Sequence, residues 1–263
     1  NVYDPSKHSK ASDVTSADII GGVSTSGEVT GLELVNQVFP KFRLIPGLIV
    51  CPKWSEIPAV RAAMISKADS VSGLFSCTAL TDIPSGSGGA SKYRDVSSWK
   101  TRNNYVATRE IACWPKVSLG GKVFHMSTQL AGVMNKTDSN HDDVPYKSPS
   151  NELLQMDSCV TASGGEVLLN LDQANYLNSQ GIVTALNWTG GWRVWGNRTT
   201  AYPSSTDTKD VFISVRRMMD FLSNQFITTF WQETDQPMTP RLIRTIVNSF
   251  NMYINSLVAR EML

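Results

Sequence analysis

The chain has 263 residues, enough for one large domain or two small ones. Apolar residues make up 41% and charged residues only 18%, with a formal net charge of +1. That balance excludes intrinsic disorder, which needs low hydrophobicity with high net charge, and argues against a dedicated nucleic-acid binder, which is usually strongly basic.

The start, Asn1 to His8, is polar and lacks the apolar segment of a signal peptide. The absent initiator Met is what a processed protein, or a piece of something longer, would show. The first 40 residues are rich in Ser, Thr, Gly and Asp and read as turns around a short strand. Leu32, Leu34, Val35, Val38 and Phe39 then form a short amphipathic helix before Pro40, and Phe42 to Cys51 reads as a buried strand. Ser55 reads as an N-cap with Pro58 in the first turn, and Val60, Ala63, Met64 and Ala68 have helical spacing. Leu74 to Leu80 is another short apolar run, closed by Asp82-Ile83-Pro84. Strand, helix, strand over about 40 residues is a βαβ unit, which implies parallel pairing.

Residues 84–91 read as a flexible Gly/Ser loop, and Asp95 as the cap of a helix over Val96 to Tyr105. Arg109 to Trp114 and Gly121 to Met126 read as strands joined through Leu119-Gly120-Gly121. Ser127 to Met134 is a short helix, followed by a polar loop over residues 135–151. Asn170 or Asp172 starts a helix that ends before Gly181, and Ile182 to Leu186 is the next strand. The last 55 residues or so change character. Val211, Val215, Met218, Met219, Leu222, Phe226, Phe230 and Trp231 follow helical spacing. Thr239 as N-cap with Pro240 at the first helical position opens a second amphipathic helix through Leu257. About eight polar residues join the two, which predicts antiparallel packing.

Cys51, Cys77, Cys113 and Cys159 form no C-x-x-C pair, and the first three lie in apolar, strand-like runs. They read as buried free thiols, suited to a reducing compartment. His141-Asp142-Asp143 could bind a cation, but adjacent side chains diverge and no further ligand follows at a familiar spacing, so a solvated loop is the plainer reading. His125 reads as a histidine at a strand edge, and no G-x-S-x-G, H-E-x-x-H or Cys/His pattern offers a hydrolase site. Charge is uneven along the chain. Residues 1–40 carry 2 basic and 5 acidic groups, residues 41–122 carry 12 and 5, and residues 123–206 carry 4 and 7. The basic block, with Lys92, Arg94, Lys100 and Arg102, is a candidate for a charge-complementary contact.

The most unusual segment, Asn187 to Thr199, holds three tryptophans and three glycines. On a strand, Trp192 and Val194 point to one face and Arg193 and Trp195 to the other. The indoles could be a stacking platform for a carbohydrate or nucleic acid. Alternatively they anchor the core, with Arg193 and Arg198 pairing a carboxylate or stacking on an indole.

Gly191-Trp192-Arg193-Val194-Trp195-Gly196-Asn197-Arg198-Thr199 resembles the G-W-R-x-W-G-N-R-T signature of the sheath proteins of contractile bacteriophage tails. Phe212 to Leu222, with Arg216 and Arg217, resembles that family's arginine-pair helix, and Pro237 to Val258, with Pro240, its last long helix. Thr30-Gly31-Leu32, Leu44 to Pro52 and Lys147 to Asn151 sit in the family's order upstream. The resemblance implies an α/β (mixed α+β) core, a mixed sheet flanked by helices, with residues 1–206 as the α/β part and 207–263 as two long helices packed on it. It implies a structural subunit of the virion, made in the host cytoplasm. Such subunits form stacked hexameric rings around an inner tail tube, bounded by baseplate and terminator proteins, and shorten on triggering. No catalysis, cofactor, metal, direct nucleic-acid contact or membrane insertion is implied. The family's terminal linking arms are expected to be missing from this chain. Two other readings stay open: a soluble α/β enzyme built on the βαβ unit, with a polar pocket at the strand C-termini, and a Trp-based ligand-binding module.

Overall fold

The computed structural model describes residues 9–263, so the polar start lies outside the described residues. In chain order the elements are α1 (Ser16–Ile20), β1 (Gly22–Val23), β2 (Val29–Thr30), α2 (Val38–Phe42), β3 (Leu48–Val50), α3 (Pro58–Asp69), β4 (Thr78–Asp82), α4 (Tyr93–Arg102) and β5 (Glu110–Cys113). The chain continues through β6 (Lys116–Leu119), β7 (Lys122–Phe124), α5 (Met126–Ser139), β8 (Ser158–Val160), α6 (Leu171–Asn178), β9 (Ile182–Trp188) and β10 (Gly191–Trp195). It ends with α7 (Thr208–Val211), α8 (Ile213–Phe230) and α9 (Pro240–Ala259). Among these helices none is long and apolar enough to cross a membrane.

The main sheet has strand order β10-β9-β5-β4-β3, with the last four strands parallel and β10 antiparallel on one edge. The parallel strands are covered on both faces, so every residue of β4 and β5 is buried, polar ones included. Side chains still alternate between two cores. Leu80, Ile111, Val183 and Ala185 meet Met126, Leu130 and Met134 of α5 and Ile213 of α8. On the other face Ile49 and Ala79 meet Val60, Met64 and Ala68 of α3, while Ala112 and Ile182 meet Val96 and Trp99 of α4 and Leu177 of α6. A second, antiparallel sheet β7-β6-β8 lies beside this core. This is the expected mixed architecture, and β3-α3-β4 is the expected parallel βαβ unit.

Several local expectations are corrected. The helix placed before Pro40 is a 3-10 turn, Gly31–Gln37, that runs on into α2. Pro40 sits in the first turn of α2, where its missing N–H needs no partner. Phe42 closes that helix instead of starting a strand and is 66% exposed. Arg43 adopts a left-handed cap (φ 58°) and only Leu48–Val50 pair. Ser55 is not an N-cap: Ile57 precedes Pro58 at the helix start, and Ser55 turns inward to Asp82. Asp95 lies in the first turn of α4, which is led by Lys92. Strand pairing starts at Thr78, because Val71 to Phe75 close a turn through a Val71 N–H to Phe75 carbonyl bond of 2.7 Å. β6 was not foreseen; it forms a hairpin with β7 in which Gly120 and Gly121 supply positive φ. α5 runs five residues beyond Met134, into the segment expected to be loop. Residues 84–91 are not a loose linker. A Cβ on Gly89 would lie 2.0 Å from the Pro84 carbonyl oxygen, and the buried Trp114 indole donates to the Ala90 carbonyl at 2.8 Å.

The four cysteines are free thiols, with Cys77, Cys113 and Cys159 buried and Cys51 half-buried. Burial pushes Cys51 up to about 11, Cys77 and Cys159 to about 12, and Cys113 well above its ordinary value. Above pH 9 the unfolded chain therefore loses thiol protons that the folded chain keeps, and stability falls by about 1.4 kcal/mol per pH unit for each such thiol. Lys100, lowered by burial to about 8, works the other way between pH 8 and 10.5. One amine against four thiols predicts a net loss: the urea midpoint under reducing conditions should drop steadily from pH 9 to pH 11. An unchanged midpoint would place the thiols in water.

Candidate functional site

The Trp-rich signature forms the β9–β10 hairpin and the strand leading out of it. Gly190 and Gly191 (φ 84° and 114°) make the turn, a conformation that side chains with a Cβ resist. Val194 is buried against the α5 side of the sheet, with Trp192 packed beside it. The Trp192 indole donates to the Asp157 carbonyl at 2.9 Å and the Trp195 indole to Asn175 Oδ1 of α6 at 2.9 Å. Arg193 donates to the Asn151 carbonyl at 2.7 Å and the Thr189 carbonyl at 3.1 Å. The outer edge of β10 is itself covered: Asn151 N–H donates to the Val194 carbonyl, Leu154 N–H to the Trp192 carbonyl, and Val194 N–H to the Glu152 carbonyl. Gly196 (φ 134°) passes close to β9, where a Cβ would sit 3.1 Å from the Ile182 carbonyl oxygen.

Past the strand, the Asn197 carbonyl accepts from Ile213 N–H at the start of α8. Arg198 lies flat over the Tyr202 ring at 3.7 Å, so the stacking partner is a phenol and not an indole. Thr199 and Thr200 carry the chain across the sheet: Thr199 Oγ1 donates to the Asp210 carbonyl and Thr200 Oγ1 to Glu110 Oε2 at 2.9 Å. The two indole N–H groups and Arg193 are thus engaged within the chain, with Trp192 and Trp195 half-buried and Trp188 of β9 exposed.

Two clamps of buried charge were not foreseen. Glu110, fully buried at the start of β5, takes a bidentate contact from Arg61 of α3 (2.6 and 2.7 Å) and a hydrogen bond from Thr81 at 2.8 Å. Arg61 also donates to the Asn103 and Asn104 carbonyls and lies 3.5 Å over the Tyr105 ring. Asp82, at the C-terminal end of β4, accepts from Ser127 N–H and Oγ and from Ser55 Oγ. Burial raises the Asp82 pKa; the hydrogen bonds from Ser127 and Ser55 oppose that rise. The carboxylate sits at the N-terminus of α5, where exposed helix N–H groups favour negative charge. A signal for the first was present: Arg61 interrupts an apolar helical stripe that would otherwise bury only hydrocarbon.

The arginine pair of α8 is also internal. Arg217 pairs with Asp138 of α5, and Arg216 with Asp210 at 3.2 Å and Asp220 at 2.7 Å. Asp220 takes a second, bidentate contact from Arg109 (2.8 and 2.9 Å), whose other partner is Asp69 at 3.1 Å. Asn224 exchanges two hydrogen bonds with the Ser76 backbone. A cleft of about 680 Å³ runs along this seam, between α8 and the N-terminal ends of β3 and β4. Pro240 is the first residue of α9, with Thr239 Oγ1 accepting from Leu242 N–H at 3.2 Å.

Part of the basic block is consumed in the fold. Arg61, Lys67, Arg109 and Lys116 pair with Glu110, Glu33, Asp69/Asp220 and Glu56. Lys100 is corrected outright. It falls with Val96 and Trp99 on the buried stripe of α4, is 5% exposed, and donates to the Gln180 carbonyl at 2.6 Å and to the Tyr202 carbonyl. Lys92, Arg94 and Arg102 stay exposed. His141 Nδ1 lies 2.6 Å from the Thr137 carbonyl and Asp142 pairs with Arg260; among the described residues no group of His, Cys, Asp or Glu could hold a metal. His125 sits with Lys116 and Glu56, its Nε2 2.7 Å from Lys116 Nζ.

No family model matches the chain. It is 28% identical over 259 residues to the tail sheath protein of Burkholderia phage BcepMu, covering 93% of this chain and 52% of that protein. It is 26% identical over 243 residues to a putative prophage major tail sheath protein of Pseudomonas aeruginosa UCBPP-PA14, covering 91% and 59%. A solved extracellular contractile injection system, the PVC sheath complex in its contracted state, superposes with a TM-score of 0.65 at 16% identity, covering 88% of this chain and 60% of that one. The chain is therefore similar along nine tenths of its length to phage and prophage tail sheath proteins and has a contractile-sheath fold, while spanning little more than half of those relatives.

The placements above predict a sharp split among four cations of one helix region. Lys100→Glu should cost several kcal/mol in urea unfolding, because a carboxylate would face two carbonyl oxygens in a buried site. Charge reversal at Lys92, Arg94 or Arg102 should stay within about 0.5 kcal/mol of the parent. Equal effects at all four positions would contradict the burial assigned to Lys100.

Proposed function

We propose that the chain is the core of a structural subunit of a contractile tail sheath. Copies polymerise as stacked hexameric rings around an inner tail tube, between baseplate and terminator proteins, and the sheath shortens to drive the tube through the host envelope. The virion is its destination and the host cytoplasm its place of synthesis. The observation that carries this reading is similarity to tail sheath proteins over nine tenths of the chain. Two physical features support it. Heterologous contacts that do not close generate helical polymers. The surface also carries large apolar groups suited to coverage by partners, among them Phe42, Leu44, Leu168, Trp188, Trp231, Met238 and Met252, each more than half exposed. Lys92, Arg94 and Arg102 remain as exposed surface charge for a contact with an acidic face of a neighbour.

The reading assigns no catalytic residue. An enzyme on the βαβ unit would need its perturbed acid open to substrate. Asp82 is in the right place at the end of β4, but its carboxylate is buried and engaged by two serines.

Electron microscopy of the full-length protein should show striated tubes or stacked rings; only dispersed particles at high concentration, or saturable quenching of tryptophan fluorescence by a small ligand, would count against the proposal. In the same preparation, the triple variant Lys92→Glu, Arg94→Glu, Arg102→Glu should assemble less and lose salt sensitivity. Unchanged assembly and salt response would remove these cations from the contact.

A further inference from the structure

We infer that α8 and α9 form one releasable unit, hinged at Phe212 and closed onto the α/β core by a polar seam. The inference rests on the packing alone and stands whether or not the protein is a sheath subunit.

The hinge end is apolar and fixed. Ile213 is buried in the core under α5, its N–H donates to the Asn197 carbonyl, and Phe212 bridges to Arg198. Further along α8, the buried stripe changes character: Arg217, Asp220 and Asn224, spaced by three and four residues, face the core. They meet Asp138 of α5, Arg109 before β5 and the Ser76 backbone before β4. Apolar contact along this stretch is confined to a small cluster of Met218, Phe221 and Leu222 with Val144, Tyr146, Leu257 and Met262, and to Ile227 at the margin of the α3 core. The 680 Å³ cleft brings open space against the seam, where Asp138, Arg217, Asp220 and Asn224 line it together with Leu44 and Phe221.

α9 follows α8. Of its residues only Leu257 is buried, and Phe250 packs on Phe226 and Phe230 of α8 with ring centroids 5.1 and 6.3 Å apart. Opening an apolar interface exposes hydrocarbon, whereas opening a polar one exchanges its hydrogen bonds for water at small net cost. The ion pairs also have alternatives on each side. When the seam opens, Arg109 keeps Asp69 on the core side, while Arg216 keeps Asp220 within α8 and, beside the hinge, Asp210 of α7. Segments held this way open below the global unfolding free energy.

Hydrogen exchange read by mass spectrometry on the intact chain tests this. Amides of α8 beyond Met218 and of α9 should exchange together, about tenfold or more faster than those of β4, β5 and β9. Asp220→Asn should speed exchange in α8 and α9 about tenfold and leave the sheet unchanged. The pair Arg217→Met with Asp138→Leu replaces a charged contact by hydrocarbon and should slow exchange in the same two helices. Equal protection of helices and sheet, Asp220→Asn acting on both alike, or no slowing in the apolar pair would each overturn the hinge. Should Asp220→Asn fail to fold, the parent chain and the apolar pair decide the question.

Discussion

A single buried carboxylate holds the centre of this fold. Glu110 has no solvent exposure, and an unpaired charge there would be prohibitive. It is tolerated because Arg61 meets it through two nitrogens and Thr81 and Thr200 complete its hydrogen bonds. Those partners come from α3, from β4 and from the segment just after the Trp-rich hairpin. Arg61 extends the clamp to the end of α4 through the Asn103 and Asn104 carbonyls. The position of the hairpin relative to the sheet thus depends on a contact made some 90 residues earlier in sequence.

The same economy runs through the molecule and bears on function. Asp82 caps α5 from a neighbouring strand, Lys100 binds two carbonyls, and the signature Trp and Arg residues bond to backbone and to α6. These polar groups are therefore engaged inside the chain, while large apolar groups such as Trp188 and Met238 are exposed. Exposed apolar groups of that size are what the proposed contacts between copies would cover.

The periodic elements were readable from residues alone. Pro58, Asn170 and Thr239-Pro240 lie at the starts of three helices, and the apolar residues of Arg109 to Trp114 and Ile182 to Leu186 marked β5 and β9. The nine-residue Trp signature pointed to the family, and its glycines and indoles occupy structural roles. What could not be read was long-range pairing. Lys100 has an ordinary helical sequence context, and only the i, i+3, i+4 stripe it shares with Val96 and Trp99 betrays its burial. Ser55 resembled an N-cap because its partner, Asp82, lies 27 residues away. Which cations of residues 41–122 are buried could not be read either, because pairs such as Arg61 with Glu110 and Arg109 with Asp220 join residues 49 and 111 positions apart.

The claim that buried charge is a structural clamp is tested most directly by a double-mutant cycle in urea on Arg61→Met and Glu110→Met. Each single change should cost about 3 kcal/mol or more, since it strands the other charge in the core, and the double variant should be clearly more stable than the sum of the two losses requires. Additive losses, or single changes within about 0.5 kcal/mol of the parent, would contradict the clamp and the account built on it.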